Sequence, residues 1–282
     1  MARIGLVPHG QRSEARALAD EIGSWLERQG HEVRLLTDDG VHPWACAGGD
    51  LAAGLDLAVS LGGDGTMLRT VGLVLAAGVP VLGVNVGHLG YLTEVGPEGL
   101  CDALVAFLAG RHRIEERMTL EVEVVRPSTG TAPVIAHALN DAVLQRAPSG
   151  HTIRLALSLD DEPFLTYAAD SMIVASPTGS TAYNLSARGP VVSPRARVVV
   201  VTPVAAHMLF DRALVLAPPE EVAMELIDGR SAELVIDGQP WGVLSTGDVV
   251  RCRAGGQDAR LVTFGGRDFH QILKQKFGLS DR

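Results

Sequence analysis

One aspartate inside a glycine-rich turn has the clearest chemical potential in this sequence. An apolar, strand-like run over residues 57–61 leads into Gly62-Gly63-Asp64-Gly65-Thr66, and a helical pattern follows over residues 67–77. A strand, a glycine turn and a helix N-terminus together present an array of backbone N–H groups, which suits a phosphate. Thr66 is predicted to be the N-cap of the helix.

A bare carboxylate in such an array would repel the phosphate, so Asp64 needs an explanation of its own. It either meets a metal ion bound to the phosphates or accepts the proton of a hydroxyl group that attacks one. Both interpretations indicate phosphoryl transfer. In a third interpretation the turn has no chemistry, and Asp64 only caps the helix.

A second glycine-punctuated turn follows the next strand, which is predicted over residues 79–84. Its sequence is Asn85-Val86-Gly87-His88-Leu89-Gly90-Tyr91-Leu92-Thr93. His88 is a candidate phosphate ligand or general base, and a loop histidine without chemistry is the alternative.

Hydroxyl groups are concentrated in the stretch Pro177-Thr178-Gly179-Ser180-Thr181-Ala182-Tyr183, after a strand predicted over residues 172–175. A helix that begins at Ser180 or Thr181 would offer an anion or nucleotide site, and simple capping of a turn is the alternative. Asp170, just before the strand, is placed to hydrogen-bond an amide or a sugar hydroxyl.

The dipeptide Asn140-Asp141 interrupts a strand-like run over residues 134–144. Adjacent amide and carboxylate groups suit the vicinal hydroxyls of a ribose, because one can donate while the other accepts. An Asx turn is the alternative.

The elements that must position these groups fall into two patterns. Strands and helices alternate over residues 1–112, with a helix predicted over 12–29 and a loop over 38–54, which predicts βαβ units and a mostly parallel, Rossmann-like sheet. Ligands in such sheets bind at the carboxyl ends of the strands. Residues 113–264 alternate with period two and predict a mostly antiparallel β domain. A terminal helix within residues 265–282 is expected to pack back on the first domain.

Composition excludes several classes of protein. Acidic residues outnumber basic ones by 33 to 24, which argues against a broad nucleic-acid-binding face. The three cysteines form no CxxC pair, which is typical of a reducing compartment. No apolar run approaches the roughly 20 residues of a membrane span, and the N-terminus is too short in apolar residues for a signal peptide, so a cytoplasmic protein is expected.

Taken in order, four motifs resemble those of the NAD kinases, and weaker similarity extends over essentially the whole chain. The motifs are the Gly62–Thr66 turn, the Asn85–Leu92 turn, Asn140-Asp141 and the Pro177–Tyr183 stretch. The resemblance implies transfer of a phosphoryl group from ATP or polyphosphate, with Mg²⁺, to the 2′-hydroxyl of the adenosine ribose of NAD. It also implies an active site between an α/β domain and a β-rich domain, and a homodimer or homotetramer.

The resemblance also implies residue roles. Asp64 would be the general base or would orient it, and Mg²⁺ would be held mainly by the nucleotide phosphates. The nucleotide-binding residues of the first domain would be Gly62, Gly63, Gly65, Thr66, Asn85 and Gly87. The residues that bind the ribose or line the dinucleotide site would be Asn140, Asp141, Asp170, Thr178, Gly179, Ser180, Thr181, Ala182, Tyr183, Ser186, Asp237 and Gln239.

Several positions depart from the family's pattern, and at two of them, Ala206 and Ala213, alanine replaces proline. Ser171 follows Asp170 where the family has glycine, and Arg188 replaces the first glycine of a Ser-Ala-Gly-Gly-Pro segment. These departures keep open a kinase of the same superfamily that acts on another hydroxyl acceptor, such as a nucleoside, a sugar or a lipid head group. A non-catalytic NAD-binding sensor is the remaining alternative.

Overall fold

A computed structural model describes residues 1–37, 42–87, 90–147, 152–228, 231–266 and 268–278. The chain divides into two compact units. The first consists of Met1–Glu116 and Ala259–Arg282, and the second of Arg117–Asp258.

The first unit is built on a sheet with helices connecting its strands. In the described part of the chain its strands are β1 (Arg3–Pro8), β2 (Glu32–Leu36), β3 (Ala45–Cys46), β4 (Leu57–Gly62), β5 (Val81–Asn85), β6 (Arg113–Arg117) and β19 (Ala259–Thr263). The helices are α1 (Ser13–Arg28), α2 (Gly48–Leu51), α3 (Asp64–Val74), α4 (Leu100–Leu108) and α6 (Phe269–Phe277). The strand order is β3-β2-β1-β4-β5-β19-β6.

The pairs among β1 to β5 are all parallel, which confirms the predicted α/β fold class. These strands are apolar along most of their length because both faces of a parallel sheet are covered. Helix α1 buries one stripe against the sheet, formed by Ala15, Ala19, Ile22 and Leu26 at helical spacing. The predicted helix over residues 12–29 is therefore confirmed.

Two local predictions in the first unit are wrong. Helix α3 begins at Asp64 and its N-cap is Gly63, so Thr66 lies inside the first turn and does not cap the helix. The segment predicted as a loop over residues 38–54 contains β3 and α2, with residues 38–41 outside the described part. Elements of two and four residues are too short for a hydrophobic period to reveal them.

The division between units differs from the predicted boundaries at both ends. The sequence pattern places residues 113–116 and 259–264 in the β domain, whereas in the structure they belong to the first unit. The reason is strand pairing: β19 lies parallel to β5 and carries β6 on its other side. The alternating sequence of β6 and β19 does not show which of the sheets each strand joins.

The second unit contains two six-stranded sheets, as far as its described residues show. One has the order β11-β10-β15-β18-β7-β8, formed by β7 (Leu120–Val125), β8 (Val134–Ala138), β10 (Ile153–Leu159), β11 (Glu162–Ala169), β15 (Val222–Leu226) and β18 (Val249–Ala254). The other has the order β14-β13-β12-β9-β16-β17, formed by β9 (Asp141–Arg146), β12 (Ser171–Ala175), β13 (Val199–Val204), β14 (Leu214–Leu216), β16 (Ala232–Ile236) and β17 (Gln239–Leu244).

These two sheets share one apolar core and their strand pairs are antiparallel, which confirms the predicted β-rich part of the fold. Side chains from both sheets enter the core, including Val122 and Leu155 from the first and Leu144, Met172 and Leu234 from the second. Each strand therefore places alternate residues inward, which is the period-two pattern seen in the sequence. One short helix, α5 (Tyr183–Ser186), follows β12.

Helix α6 lies in the first unit, as the sequence predicted for the terminal helix. Asp268 caps its N-terminus by accepting a hydrogen bond from the backbone N–H of His270. The Nζ atom of Lys276 lies 4.7 Å from the centre of the Tyr91 ring. The last turn of α6 therefore contacts the second glycine turn.

Candidate functional site

The two glycine turns of the first unit lie side by side at the carboxyl edge of its sheet. Gly62 at the end of β4 pairs with Asn85 at the end of β5. The backbone N–H of Val86 then donates to the carbonyl of Gly62 at 3.0 Å. Because parallel neighbouring strands end at the same edge, the sequence-predicted residues of both turns are brought together here.

The glycines of the first turn serve different purposes. A Cβ atom on Gly62 would lie 2.2 Å from the Oγ1 of Thr66, so this glycine is needed for close packing of the turn on its helix. A Cβ atom on Gly63 or Gly65 would meet no atom within 4 Å. Space therefore remains beside the backbone at the start of α3, where N–H groups point outward.

Asp64 does not cap its own helix. Its Oδ2 accepts a hydrogen bond from the backbone N–H of Tyr91 at 2.9 Å, and its Oδ1 accepts one from Leu92 at 3.0 Å. Helix α3 has no side-chain cap, so the interpretation of Asp64 as a mere helix cap is wrong. Burial, and secondly the nearby Asp64 charge, raise the pKa of the Tyr91 phenol.

Arg12 is a further candidate in this unit that the sequence reasoning missed. Its guanidinium donates from Nη1 to the carbonyl of Val86, and it lies where a Cβ atom on Gly87 would be. Gly87 has a φ of 130°, and the side chain of Asn85 donates to its carbonyl at 3.2 Å. The exposed guanidinium of Arg12 thus lies beside a turn that is a candidate phosphate-binding site. His88, the other candidate of this turn, lies outside the described residues.

In the second unit, Asn140 lies in the link between β8 and β9, two strands of different sheets. The carboxylate of Asp237 accepts the backbone N–H groups of Leu139 at 2.8 Å, Asn140 at 2.7 Å and Asp141 at 3.2 Å. In return the N–H of Asp237 donates to the carbonyl of Asp141 at 2.9 Å. Asp237 therefore fixes the backbone of the Asn140-Asp141 dipeptide.

The carboxyl group of Asp141 is buried, with 5% of the residue exposed. Burial and the neighbouring Asp237 charge raise the pKa of Asp141 to about 7, while a hydrogen bond from the backbone N–H of Tyr183 opposes the shift. Burial likewise raises the pKa of Asp237. The like charge of Asp237 and the shared burial therefore both favour the protonated form of Asp141.

Gly179 brings the hydroxyl-rich segment against the same dipeptide. A Cβ atom on it would lie 2.0 Å from the carbonyl oxygen of Asn140. Ser176 completes the contact: its Oγ donates to the carbonyl of Leu139 and accepts the N–H of Gly179 at 3.1 Å, and its own N–H donates to Asn140 at 2.8 Å. Ser176 was missed because a lone serine after a strand carries no distinguishing signal.

Several hydroxyls of this segment are used internally. The Oγ of Ser180 is buried, donates to the carbonyl of Pro177 at 2.7 Å and accepts the N–H of Val192 at 3.0 Å. Thr181 donates to the carbonyl of Thr178 at 3.2 Å. Thr178 is buried and lies 3.5 Å from a guanidinium nitrogen of Arg117.

The helix predicted from Ser180 or Thr181 is shorter than expected. Gly179–Thr181 forms one 3₁₀ turn, Ala182 is the N-cap of α5, and α5 itself has four residues. So short a helix has little dipole, and the predicted anion site at its start is not supported.

The remaining predicted residues of this unit are open to solvent to different degrees. Tyr183 is 41% exposed, and Ser186 and Gln239 are exposed at the ends of α5 and β16–β17. Asp170 forms an ion pair with Arg146, with an oxygen 3.2 Å from Nε. Arg146 was missed because its partner lies 24 residues away in sequence.

Within the described ranges, no group of three or more His, Cys, Asp or Glu side chains is arranged to hold a metal ion. Over the same ranges, no helix has the length and apolar character needed to cross a membrane.

Comparison with solved structures places the fold among known ones. The crystal structure of yeast NADH kinase complexed with NADH matches with a TM-score of 0.87 at 24% identity, over 100% of this chain and 89% of that one. The crystal structure of an NAD kinase from Archaeoglobus fulgidus in complex with ATP matches with a TM-score of 0.75 at 24% identity, over 99% and 100%.

Sequence comparison identifies the family. Residues 48–112 match the ATP-NAD kinase N-terminal domain, and residues 139–264 match the ATP-NAD kinase C-terminal domain. An NAD kinase from Heliobacterium modesticaldum is 40% identical over 98% of each chain, and one from Moorella thermoacetica is 39% identical over 98% of this chain and 89% of its own. With both domain models matched and relatives similar over nearly its full length, this chain belongs to the NAD kinase family.

Proposed function

We propose that this chain transfers the γ-phosphoryl group of ATP to the 2′-hydroxyl of the adenosine ribose of NAD and so produces NADP. The observation that carries the proposal is the carboxylate of Asp64, held by two backbone N–H groups at the carboxyl edge of a parallel sheet. Membership of the NAD kinase family supports the reaction class and both substrates.

Asp64 acts on the attacking hydroxyl. Each of its oxygens accepts one N–H bond and keeps a lone pair, so the carboxylate retains the capacity to accept the 2′-hydroxyl proton or to orient that hydroxyl. The rest of the task is positioning and charge stabilisation, as in other phosphoryl transfers.

The donor phosphates bind at the N–H groups around Gly63 and Gly65, where the backbone has open space beside it. Thr66, Asn85 and Gly87 shape the two turns. Arg12 adds a cation on the Gly87 side.

Mg²⁺ fits this arrangement as an ion bound mainly by the phosphates. The oxygen of Asp64 is the kind of ligand that Mg²⁺ prefers, and Mg²⁺ commonly uses one or two carboxylates together with substrate phosphates. When bound, the ion would neutralise negative charge on the transferring phosphoryl group.

Residues of the second unit bind the acceptor. Asn140 and Asp141 are proposed to recognise ribose hydroxyls, with Asp237 fixing their backbone. We assign the lining of the dinucleotide site to the exposed residues Tyr183, Ser186 and Gln239 and to the half-buried residues Asp170, Thr181 and Ala182. Thr178, Gly179 and Ser180 hold the segment in shape through their internal contacts.

Location and assembly complete the proposal. The three cysteines of the chain are free, which is typical of a reducing compartment. We therefore assign the protein to the cytoplasm. We also assign it a homodimeric or homotetrameric state, which the family resemblance supports.

An acceptor panel separates this proposal from a kinase for another hydroxyl. Initial rates with Mg-ATP would be measured for NAD, NADH, adenosine, glycerol and a diacylglycerol dispersion. NAD or NADH should give the highest kcat/KM. A higher value for any of the other three acceptors would overturn the assignment.

Calorimetry of NAD binding, together with a measurement of ADP release, distinguishes the proposed kinase from a binding sensor. A sensor would bind NAD with no ADP released in the presence of Mg-ATP, whereas the proposed enzyme releases one ADP for each NADP formed. Binding without ADP release would contradict the proposed function.

A further inference from the structure

One segment of the first unit donates two backbone hydrogen bonds to the carboxylate of Asp64. We define it as the strap, residues 90–95, which begins within the second glycine turn and continues past the end of that turn at Thr93. Its donors to Asp64 are the backbone N–H groups of Tyr91 at 2.9 Å and Leu92 at 3.0 Å, one to each carboxylate oxygen. Two bonds to the two oxygens fix the rotation of the carboxylate as well as its place.

Gly90 makes this close approach possible. A Cβ atom on Gly90 would lie 2.2 Å from Oδ1 of Asp64 and 2.8 Å from its Cγ. The backbone of Gly90 does not adopt a left-handed φ, so its conformation alone does not require glycine. What requires glycine is the carboxylate of Asp64 lying against it.

The far end of the strap is anchored to the sheet. The N–H of Glu94 donates to the carbonyl of Gly83 in β5 at 2.8 Å, and Val95 accepts the N–H of Asn85 at 2.8 Å. The Oε1 of Glu94 accepts two further bonds, from the backbone N–H of Phe264 at 2.7 Å and from the hydroxyl of Thr263 at 3.0 Å. The strap is therefore tied to β5 and to the end of β19.

We propose that the strap is a positioning element that holds the carboxylate of Asp64 in its reactive orientation, with Gly90 and Glu94 as its positioning residues. This inference rests on the proposed function, because it assumes that Asp64 acts on the acceptor hydroxyl. Neither residue touches the reacting atoms. Each acts through Asp64: Gly90 by leaving room for the carboxylate, and Glu94 by fixing the strap that carries the two N–H donors.

The first test is Gly90→Ala. The added methyl group must displace the carboxylate, and a misplacement of about 1 Å can lower a rate by roughly 100-fold. We expect kcat to fall by about 10- to 100-fold while the KM values for NAD and ATP stay within about threefold, since the substrate contacts are unchanged. A wild-type kcat would overturn the proposal, and so would a fall in kcat/KM that comes only from a higher KM.

Gly72→Ala is the matched control. Gly72 lies in α3, the same helix as Asp64, and a Cβ atom there would meet no atom within 4 Å. This variant should keep the wild-type kcat. A comparable loss of kcat in it would show that the helix responds to any added methyl group, and would remove the support from Gly90.

Coupling to Asp64 distinguishes a positioning role from a general structural one. If Gly90 acts only through the carboxylate, Gly90→Ala added to Asp64→Asn should lower the residual kcat no further. A second, multiplicative loss would show that Gly90 acts by another route and would contradict the proposal.

Glu94 gives a test that does not depend on how Gly90→Ala folds. Glu94→Gln keeps an oxygen that can accept from Phe264 and Thr263, and it should restore most of the kcat that Glu94→Ala loses. Amide hydrogen exchange at Tyr91 and Leu92 should become faster in Glu94→Ala and remain slow in Glu94→Gln. Hydrogen exchange reports on the order of the strap even if the wild-type protein has no kinase activity. The experiment therefore distinguishes an error in the proposed function from an error in the proposed anchoring of the strap. Equal exchange in the two variants would overturn the anchor role.

Discussion

At the scale of single residues, buried carboxyl groups carry the strongest electrostatic signal. Asp141 is almost fully buried beside Asp237, and its pKa is raised to about 7 from an ordinary 3.8. Such a group binds its proton more tightly in the folded chain than in the unfolded one. Between pH 4 and pH 7 the folded state therefore holds more protons, and its stability falls as the pH rises through this range.

Asp141→Asn should remove that dependence, because the amide is neutral at every pH and its oxygen can still accept the N–H of Tyr183. The variant and the wild type should unfold at similar denaturant concentrations near pH 4. At pH 8 the variant should be the more stable one, by up to about 4 kcal/mol from about 1.4 kcal/mol for each pKa unit. Urea unfolding across this pH range checks the prediction, and a constant difference between the two proteins would contradict it.

Arg188 stands where the resemblance to the family implies a glycine, and its backbone conformation is one that favours glycine. Its φ is 63°, in the left-handed region that favours glycine. The glycine that the family has at this position is therefore accounted for by backbone conformation. Ser171, a second departure, is buried in β12, and nothing in the structure explains why a serine stands there.

At the scale of elements, the site of the second unit depends on how closely one segment packs on another. Gly179 lies against the backbone of Asn140, where a Cβ atom would approach the carbonyl oxygen to 2.0 Å. A backbone carbonyl cannot move aside as a flexible side chain can. The pairing of β12 with β9 fixes both segments on one sheet.

Gly179→Ala should therefore destabilise the protein by about 1–3 kcal/mol or more, the range for forced overpacking. Gly256→Ala is the control in the same unit, because a Cβ atom there would meet nothing within 4 Å. Thermal unfolding compares the two variants. A Tm for Gly179→Ala that equals that of the control would contradict the packing argument.

Arg12 tests the first unit at the same scale, since it links the start of α1 to the turn after β5. Arg12→Gln removes the cation but keeps a donor for the carbonyl of Val86. We expect the KM for ATP to rise by about 10-fold, from loss of a charge-assisted bond of roughly 1.5–3 kcal/mol, while the KM for NAD is unchanged. Arg12→Lys should recover part of the ATP affinity. An unchanged KM for ATP in Arg12→Gln would exclude Arg12 from the donor site.

At the scale of the whole molecule, the sequence predicted the type of secondary structure in each unit but not which sheet each strand joins. The alternation of strands and helices and the period-two pattern predicted both parts of the fold. Residue type and spacing also predict the turn around Asp64 and the dipeptide Asn140-Asp141 as candidate sites. The return of β19 to the first sheet was missed, because a strand's own pattern does not name its partner.

The contacts made at long range were also beyond the sequence. The bonds from Tyr91 and Leu92 to Asp64, and the ion pair of Arg146 with Asp170, join residues 24 or more positions apart. They depend on which strands become neighbours, and no local pattern encodes that. Asp237 is a partial exception: an Asp-Gly pair predicts a tight hairpin turn, and both residues have a positive φ, but its grip on residues 139–141 follows from strand order.

The most direct test of this account is NADP formation by the purified chain with Mg-ATP and NAD, read by an NADP-specific dehydrogenase. We expect turnover that requires Mg²⁺ and falls by about 10²–10⁴-fold in Asp64→Asn, the range for loss of acid–base help, while NAD binding persists. No NADP from a folded wild-type protein that binds both substrates, or wild-type turnover in Asp64→Asn, would contradict it.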